Sequence, residues 1–411
     1  MDAERTTAEL VRARWAVTAV FGINGLLIAS FAVRTPSLKQ DLDLTAGELG
    51  LLGALFGVAG VLAMQLSSSL TARFGGRPIV WIAAPTLPIL LIGIGMAPQF
   101  LAMALMQMAF GAVHGILDVS MNVHAVAVER AAKRRIMSGC HGSWSIGSII
   151  GALLGSGAAH IGMSRTEHYA LLAVVLVPAA LVAGRFLMRT QADRSPAKSE
   201  SGGWAAWRTG WTKTLLVFGA MGTMVMTAEV AVADWSGVFL HEDRQASLGL
   251  AGLAYVAFAI CQTTPRLVGD RIQARVSATR LLRWSGVTAA VGMAVVVLSP
   301  TPWLGIAGFG IVGLGVSLAL PVLFGAVGHY GAERAGGSDA GAAAMVSRFS
   351  TMTYSGILVG PAVIGWIADS IGLPWTLALM IPFLFGVAAA ARTVDLARRR
   401  TEATNDVDAV Q

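Results

Sequence analysis

The residue types able to do chemistry crowd into one stretch of this chain, QMAFGAVHGILDVSMNVHAVAVER from Gln107. At about 100° per residue, Gln107, Gly111, His114, Gly115, Asp118, Asn122 and Glu129 fall on one face of a helix. The residues around them are apolar enough for lipid. An acid in a bilayer costs roughly 3 kcal/mol or more unless it faces a cavity or a partner. A carboxylate withdrawn from water also holds its proton more tightly, so it can load and release one near neutral pH. Asp118 is therefore the first candidate for proton coupling. A static role stays open beside it, as an acceptor locked by His114, Asn122 or a neighbouring helix. His114, one turn away, makes with Asp118 either a proton relay or a fixed hydrogen bond. Asn122 adds an amide to the same face for a polar solute.

A second acid, Glu229, shares a face with Gly222, Met226, Ala233 and Ser236, a pattern of a cavity wall or a close helix contact. It is a candidate for substrate or proton binding. Asp234 and Trp235 follow and suit a cap or a gate. Asn24, in FGINGLL, offers an amide to a solute hydroxyl or to a helix contact beside Gly25. Two further candidates open the run SGCHGSWSIG. Trp144 can stack on the apolar face of a sugar while its N–H donates. His141 titrates in a useful range, but its place near the span end favours a gate. Arg348 is the one basic residue inside a span; pairing with an acid, binding an anion and snorkelling to the interface are all open to it. Arg73 and Arg77, in SLTARFGGR, serve as topology determinants, and Asp270 stands in a weaker counterpart, RLVGDRI. Cys140 and Cys261 lie in separate spans and make neither a disulfide framework nor a metal site. No P-loop, zinc cluster or nucleophile motif is present, so no enzyme, metal or cofactor is expected.

The elements that must hold these residues are membrane helices. The chain has 411 residues, of which 55% are hydrophobic and only 13% charged, against about a quarter charged in a soluble protein. Twelve apolar stretches of about 20 residues or more, from 14–34 to 373–393, predict twelve spanning helices and an all-α integral membrane fold. The second, fifth (136–161) and tenth (302–328) are rich in glycine, as closely packed membrane helices are. With both termini inside, Arg34, Lys39, Arg165 and Arg244 are the basic residues left outside, which is the asymmetry of the positive-inside rule. The net charge of +7 then reports contact with the inner leaflet and not nucleic-acid binding. The N-terminal tail carries no cleavage site for a signal peptide.

A polar linker at 190–211 divides a six-helix bundle at 1–189 from another at 212–395, with a cytoplasmic tail at 396–411. The halves echo each other: MSGCHGSWSIGSIIGALLG and VSRFSTMTYSGILVGPAVIG align Ser138 with Ser347, Gly147 with Gly356 and Gly151 with Gly360. Such repeats predict two bundles that enclose a cavity opening to either side in turn. The Gly-Pro of the eleventh span allows a kink there.

These segments resemble the major facilitator superfamily over about residues 12 to 395. Arg73-Phe-Gly-Gly-Arg77 is similar to the superfamily's signature between the second and third helices, although Ala72 stands where an aspartate is usual; the mirrored loop keeps Gly269-Asp270-Arg271. GILDVSMN, SGCHGSWSIG, AEVAVADWSGVFL and YSGILVGPAVIGWIAD resemble the bacterial fucose-permease-like branch, within it a group that includes rhizopine-associated membrane proteins. The resemblance implies two six-helix bundles and secondary transport of a small solute, often a sugar or polyol with a proton. It adds an inner-gate role for Arg73 and Arg77. It also implies an acid on the fourth helix, here Asp118, and another on the first, where this chain has only Asn24. Coupling then falls to Asp118 or Glu229. The expectation is a monomeric proton-coupled symporter in the bacterial cytoplasmic membrane. A metabolite or drug exporter is the alternative, although the fifth helix lacks the proline of drug antiporters. A non-transporting receptor comes third.

Overall fold

The computed structural model describes residues 7–133, 136–188, 211–334 and 339–394, and every regular element among them is a helix. In the first half these are α1 (Thr7–Ala32), the short α2 (Thr35–Asp41), α3 (Ala46–Phe74), α4 (Gly76–Met96), α5 (Phe100–Ala132), α6 (Met137–His160) and α7 (Arg165–Phe186). In the second half they are α8 (Lys213–Glu242), α9 (Leu248–Leu267), the short α10 (Gly269–Arg275), α11 (Ala278–Leu298), α12 (Pro302–Val316), α13 (Ala319–Arg334) and α14 (Asp339–Ile371). The short α15 (Leu373–Ala378) and α16 (Met380–Ala390) close the described chain.

All twelve expected spans are helical, but only eleven are both long and apolar enough to cross a membrane on composition. The exception is α6, whose MSGCHGSWS opening dilutes its hydropathy with serine, histidine and glycine. Its length of 24 residues still matches a bilayer. The tenth span is interrupted: α12 ends at Val316 and α13 starts at Ala319. Pro321 explains the break, because it has no N–H to give to the carbonyl four residues earlier, that of Ser317.

The chain forms two compact units. Unit 1 takes Met1–Glu200 and Ala246–Val256; unit 2 takes Ser201–Gln245 and Ala257–Gln411. In unit 1, α1 packs on α6, α3 on α5, and α4 on α7. The start of α9 belongs here, its Gly249 carbonyl accepting from the Ser156 hydroxyl. In unit 2, α8 packs on α14, α11 on α12 and α16, and α13 on α14.

Backbone contact explains the glycines of the repeat. A Cβ on Gly147 would strike the Gly22 carbonyl, and one on Gly151 the Leu26 carbonyl. In unit 2 the same register recurs more loosely, with Gly356 over Thr223 and Thr227 and Gly360 over Thr227. Side-chain hydrogen bonds tie the same seams: Ser30 donates to the Gly151 carbonyl at 3.0 Å, and Thr223 to the Met352 carbonyl at 2.8 Å. Small residues and hydroxyls bonded across helices substitute for a hydrophobic drive that lipid does not supply.

Candidate substrate and coupling site

In unit 1 three helices bring their polar residues to one point. Asn24 of α1 is fully buried. The Trp144 indole N–H of α6 donates to Asn24 Oδ1 at 3.0 Å, and Asn24 Nδ2 lies 3.1 Å from His114 Nδ1 of α5. The chemistry fixes each role in turn. An indole nitrogen only donates, so the amide oxygen must face Trp144 and the amide nitrogen must face His114. That nitrogen also only donates, so His114 Nδ1 accepts and the ring is neutral with its proton on Nε2. No described residue bonds that Nε2. Phe56 of α3 stacks on the imidazole with centroids 5.7 Å apart. Ser148 donates to the carbonyls of Gly25 and Trp144, which holds the α1–α6 seam beside this network.

Asp118 stands one turn beyond His114 and is half-buried. Among the described residues its carboxylate has no hydrogen bond or ion pair. Neither neighbour on the ladder engages it: His114 is bonded to Asn24, and the Asn122 amide donates to the Asp118 backbone carbonyl at 2.8 Å. The ladder ends in a structural role. Glu129 Oε2 accepts the backbone N–H groups of Ile136, at 2.7 Å, and Met137, and so caps the start of α6. His141 is exposed and meets Phe21 edge-on at 5.3 Å.

In unit 2, Arg266 Nη2 donates to Glu229 Oε1 at 3.2 Å, joining α9 to α8. Arg266 Nε donates to the Ser317 carbonyl at 2.9 Å. This carbonyl is the one that Pro321 leaves without its helical partner. The break in the tenth span therefore aims a guanidinium at Glu229. Asp234 is half-buried and has no described partner, and the buried Trp235 indole N–H has none either, so no bond joins this pair. Arg348 is half-buried on α14. The Asp270 side chain lies outside the described residues. Arg73 is exposed, 5.1 Å above the Phe74 ring, and Arg77 donates to the Arg185 carbonyl at 2.9 Å. No cluster of His, Cys, Asp and Glu able to hold a metal occurs among the described residues. A cavity of about 550 Å³ in unit 2 is lined by Gln273, Ser277, His329, Tyr330 and Glu333 among others. Neither Glu229 nor Arg266 lines it, so it is separate from this chemistry.

The structure thus joins Asn24, His114 and Trp144, and pairs Glu229 with Arg266, a second basic residue inside a span beside the expected Arg348. Pro321 inside a span was the available signal. Phe56 gave none, since an aromatic residue in a membrane helix is ordinary.

Repeated helical units that span a bilayer and bury acids and amides define a multi-pass membrane transporter. The chain belongs to the Major Facilitator Superfamily, whose family model matches residues 16–351. It is 33% identical over 374 residues to an uncharacterised MFS-type transporter of Yersinia pestis, covering 91% of this chain and 94% of that one. It is 30% identical over 386 residues to the membrane protein MosC of Rhizobium meliloti, covering 94% and 90%. Among solved structures, the nucleoside transporter NupG superposes with a TM-score of 0.75 at 16% identity, over 93% of this chain and 98% of that one. The fucose:proton symporter FucP of E. coli gives 0.59 at 14% identity, over 94% and 99%. At such identities these two likenesses are of fold.

Proposed function

We propose that this transporter is a proton-coupled symporter of a small, uncharged, hydroxylated solute of the sugar or polyol class. One observation carries the reading: an unpartnered, half-buried Asp118 stands beside a neutral hydrogen-bonding group of Asn24, His114 and Trp144. His114 offers its Nε2–H to a solute hydroxyl, and the Trp144 ring offers an apolar face. None of these groups is charged, which suits an uncharged ligand. Asp118, with no cation to neutralise it, gains more than Glu229 from taking a proton when water leaves. Glu229 is already neutralised by Arg266 and serves better as a substrate acceptor or a gate than as the proton carrier. The fold likeness to a nucleoside transporter and a fucose:proton symporter supports the class without naming the solute.

The same reading takes the two bundles as 1–189 and 212–395, alternating access as the mode, a monomer as the working unit, and the bacterial cytoplasmic membrane with both termini inside as the setting. The test is proton movement by purified protein in liposomes, offered hexoses, deoxy sugars, inositols, amino sugars and organic acids. Alkalinisation outside with one hydroxylated class is expected. Binding of such a compound without proton movement would overturn symport, and a response confined to organic acids would overturn the substrate class.

A further inference from the structure

The unit-1 end that holds the α1–α2 turn and the α6–α7 loop buries more positive charge than it balances. Arg34, in the turn after α1, is 3% exposed, and Arg165, the first residue of α7, is 5% exposed. His168, one turn along α7, is 2% exposed. Arg34 Nη2 donates to the Met163 carbonyl at 2.8 Å, and Arg165 Nε pairs with Asp41 Oδ2 at 2.7 Å. Other polar atoms of the cluster are left over. Arg34 Nε and Nη1, Arg165 Nη1 and both His168 ring nitrogens are buried without a partner among the described residues.

These groups share one neighbourhood. Arg34 lies within electrostatic reach of Asp41, Arg165 and Tyr169, and His168 within reach of Arg34. Two guanidiniums face one carboxylate, so one positive charge is uncompensated. Glu167 is not among the charges that act on Arg34, and its carboxylate is held by the Ser164 hydroxyl and backbone N–H in the capping box that starts α7. Buried charge without a counter-charge is costly, and buried donors without acceptors add to the cost. The Asp41 side chain is 52% exposed, so the exposed edge of the cluster is at that carboxylate and the unpartnered atoms lie behind it.

We propose that Arg34, Arg165 and His168 form an accessory binding site for a phosphate group, separate from the transport site. A phosphate supplies the missing charge. Its several oxygens match the forked N–H groups of arginine better than a single point acceptor would. The site takes either the headgroup phosphate of a lipid or free phosphate, since it lies where the helices of unit 1 turn at the membrane boundary. The inference does not rest on the identity of the transported solute.

The test uses the full chain in neutral detergent and reads the thermal unfolding midpoint in two arms. One arm titrates sodium phosphate against sodium chloride at matched ionic strength. The other adds phosphatidylglycerol against diacylglycerol, which lacks the phosphate. A saturable rise of about 2 °C or more in at least one arm is expected. A rise in the lipid arm alone assigns the site to a headgroup, and a rise in the phosphate arm alone assigns it to the free ion. Arg165→Gln should abolish the rise. His168→Phe keeps the ring and both arginines, and should shift half-saturation at least threefold upward; it serves as the test where Arg165→Gln does not fold. No rise in either arm would overturn the proposal. An unchanged rise in Arg165→Gln, or unchanged half-saturation in His168→Phe, would overturn it equally.

Discussion

At the scale of single residues, Asp118 and Glu229 differ in their partners, and the roles proposed for them rest on that difference. Glu229 has Arg266 at 3.2 Å, whereas the Asp118 carboxylate has no partner among the described residues. If Asp118 carries the proton, Asp118→Asn should abolish uphill accumulation while preserving solute binding and exchange. Accumulation by the mutant equal to that of the wild type would remove Asp118 from coupling. The Glu229–Arg266 pair gives a second expectation. Removing one partner of a buried pair costs about 3–5 kcal/mol, but these side chains are 19% and 32% exposed, so solvent cuts the cost of Arg266→Gln to about 1–2 kcal/mol. The double variant Glu229→Gln/Arg266→Gln should regain most of that loss in a thermal melt, since no lone charge remains. Asn24, His114 and Trp144 were each legible as candidates from their polarity in apolar surroundings. Their meeting was not, because His114 and Trp144 are 90 and 120 residues from Asn24 in the chain.

At the scale of elements, the α1–α6 seam depends on backbone approach. A methyl group on Gly147 would meet the Gly22 backbone, which cannot rotate away, whereas one on Gly139 of the same helix would meet nothing within 4 Å. Gly147→Ala should therefore destabilise by about 1–3 kcal/mol. Gly139→Ala should be neutral, or stabilising by up to about 1 kcal/mol. Melting midpoints of the two purified variants compare them directly. The helix pattern itself was readable, since apolar length alone marks a span. Two details were harder to see. The polar opening of α6 falls below the hydropathy of a free-standing span, and it is its seam with α1 that accommodates it. The break at Ser317 follows from Pro321, yet its use is tertiary: the freed carbonyl takes Arg266, from a different helix.

At the scale of the whole molecule, the charge asymmetry predicts an orientation, with both termini and Arg73 inside and Lys39 outside. In a variant freed of Cys140 and Cys261, Lys39→Cys should react with a membrane-impermeant maleimide on intact cells. Arg73→Cys should react only after the membrane is opened. The reverse pattern would invert the topology. The sequence by itself determined that this is a membrane protein of about twelve helices, repeated in two halves, with its acids in unusual places. Transfer from water to lipid is close to a sum over residues, so it can be read without a structure. Only the tertiary structure decided which buried polar groups satisfy one another. That choice depends on which helices touch and in what register: α1 against α6 brings Asn24 to Trp144, α9 against α8 gives Glu229 its arginine, and no described side chain bonds the Asp118 carboxylate. Hydrogen bonds act over about 3 Å, whereas hydropathy acts over a whole helix, and so the partners were invisible until the helices were packed.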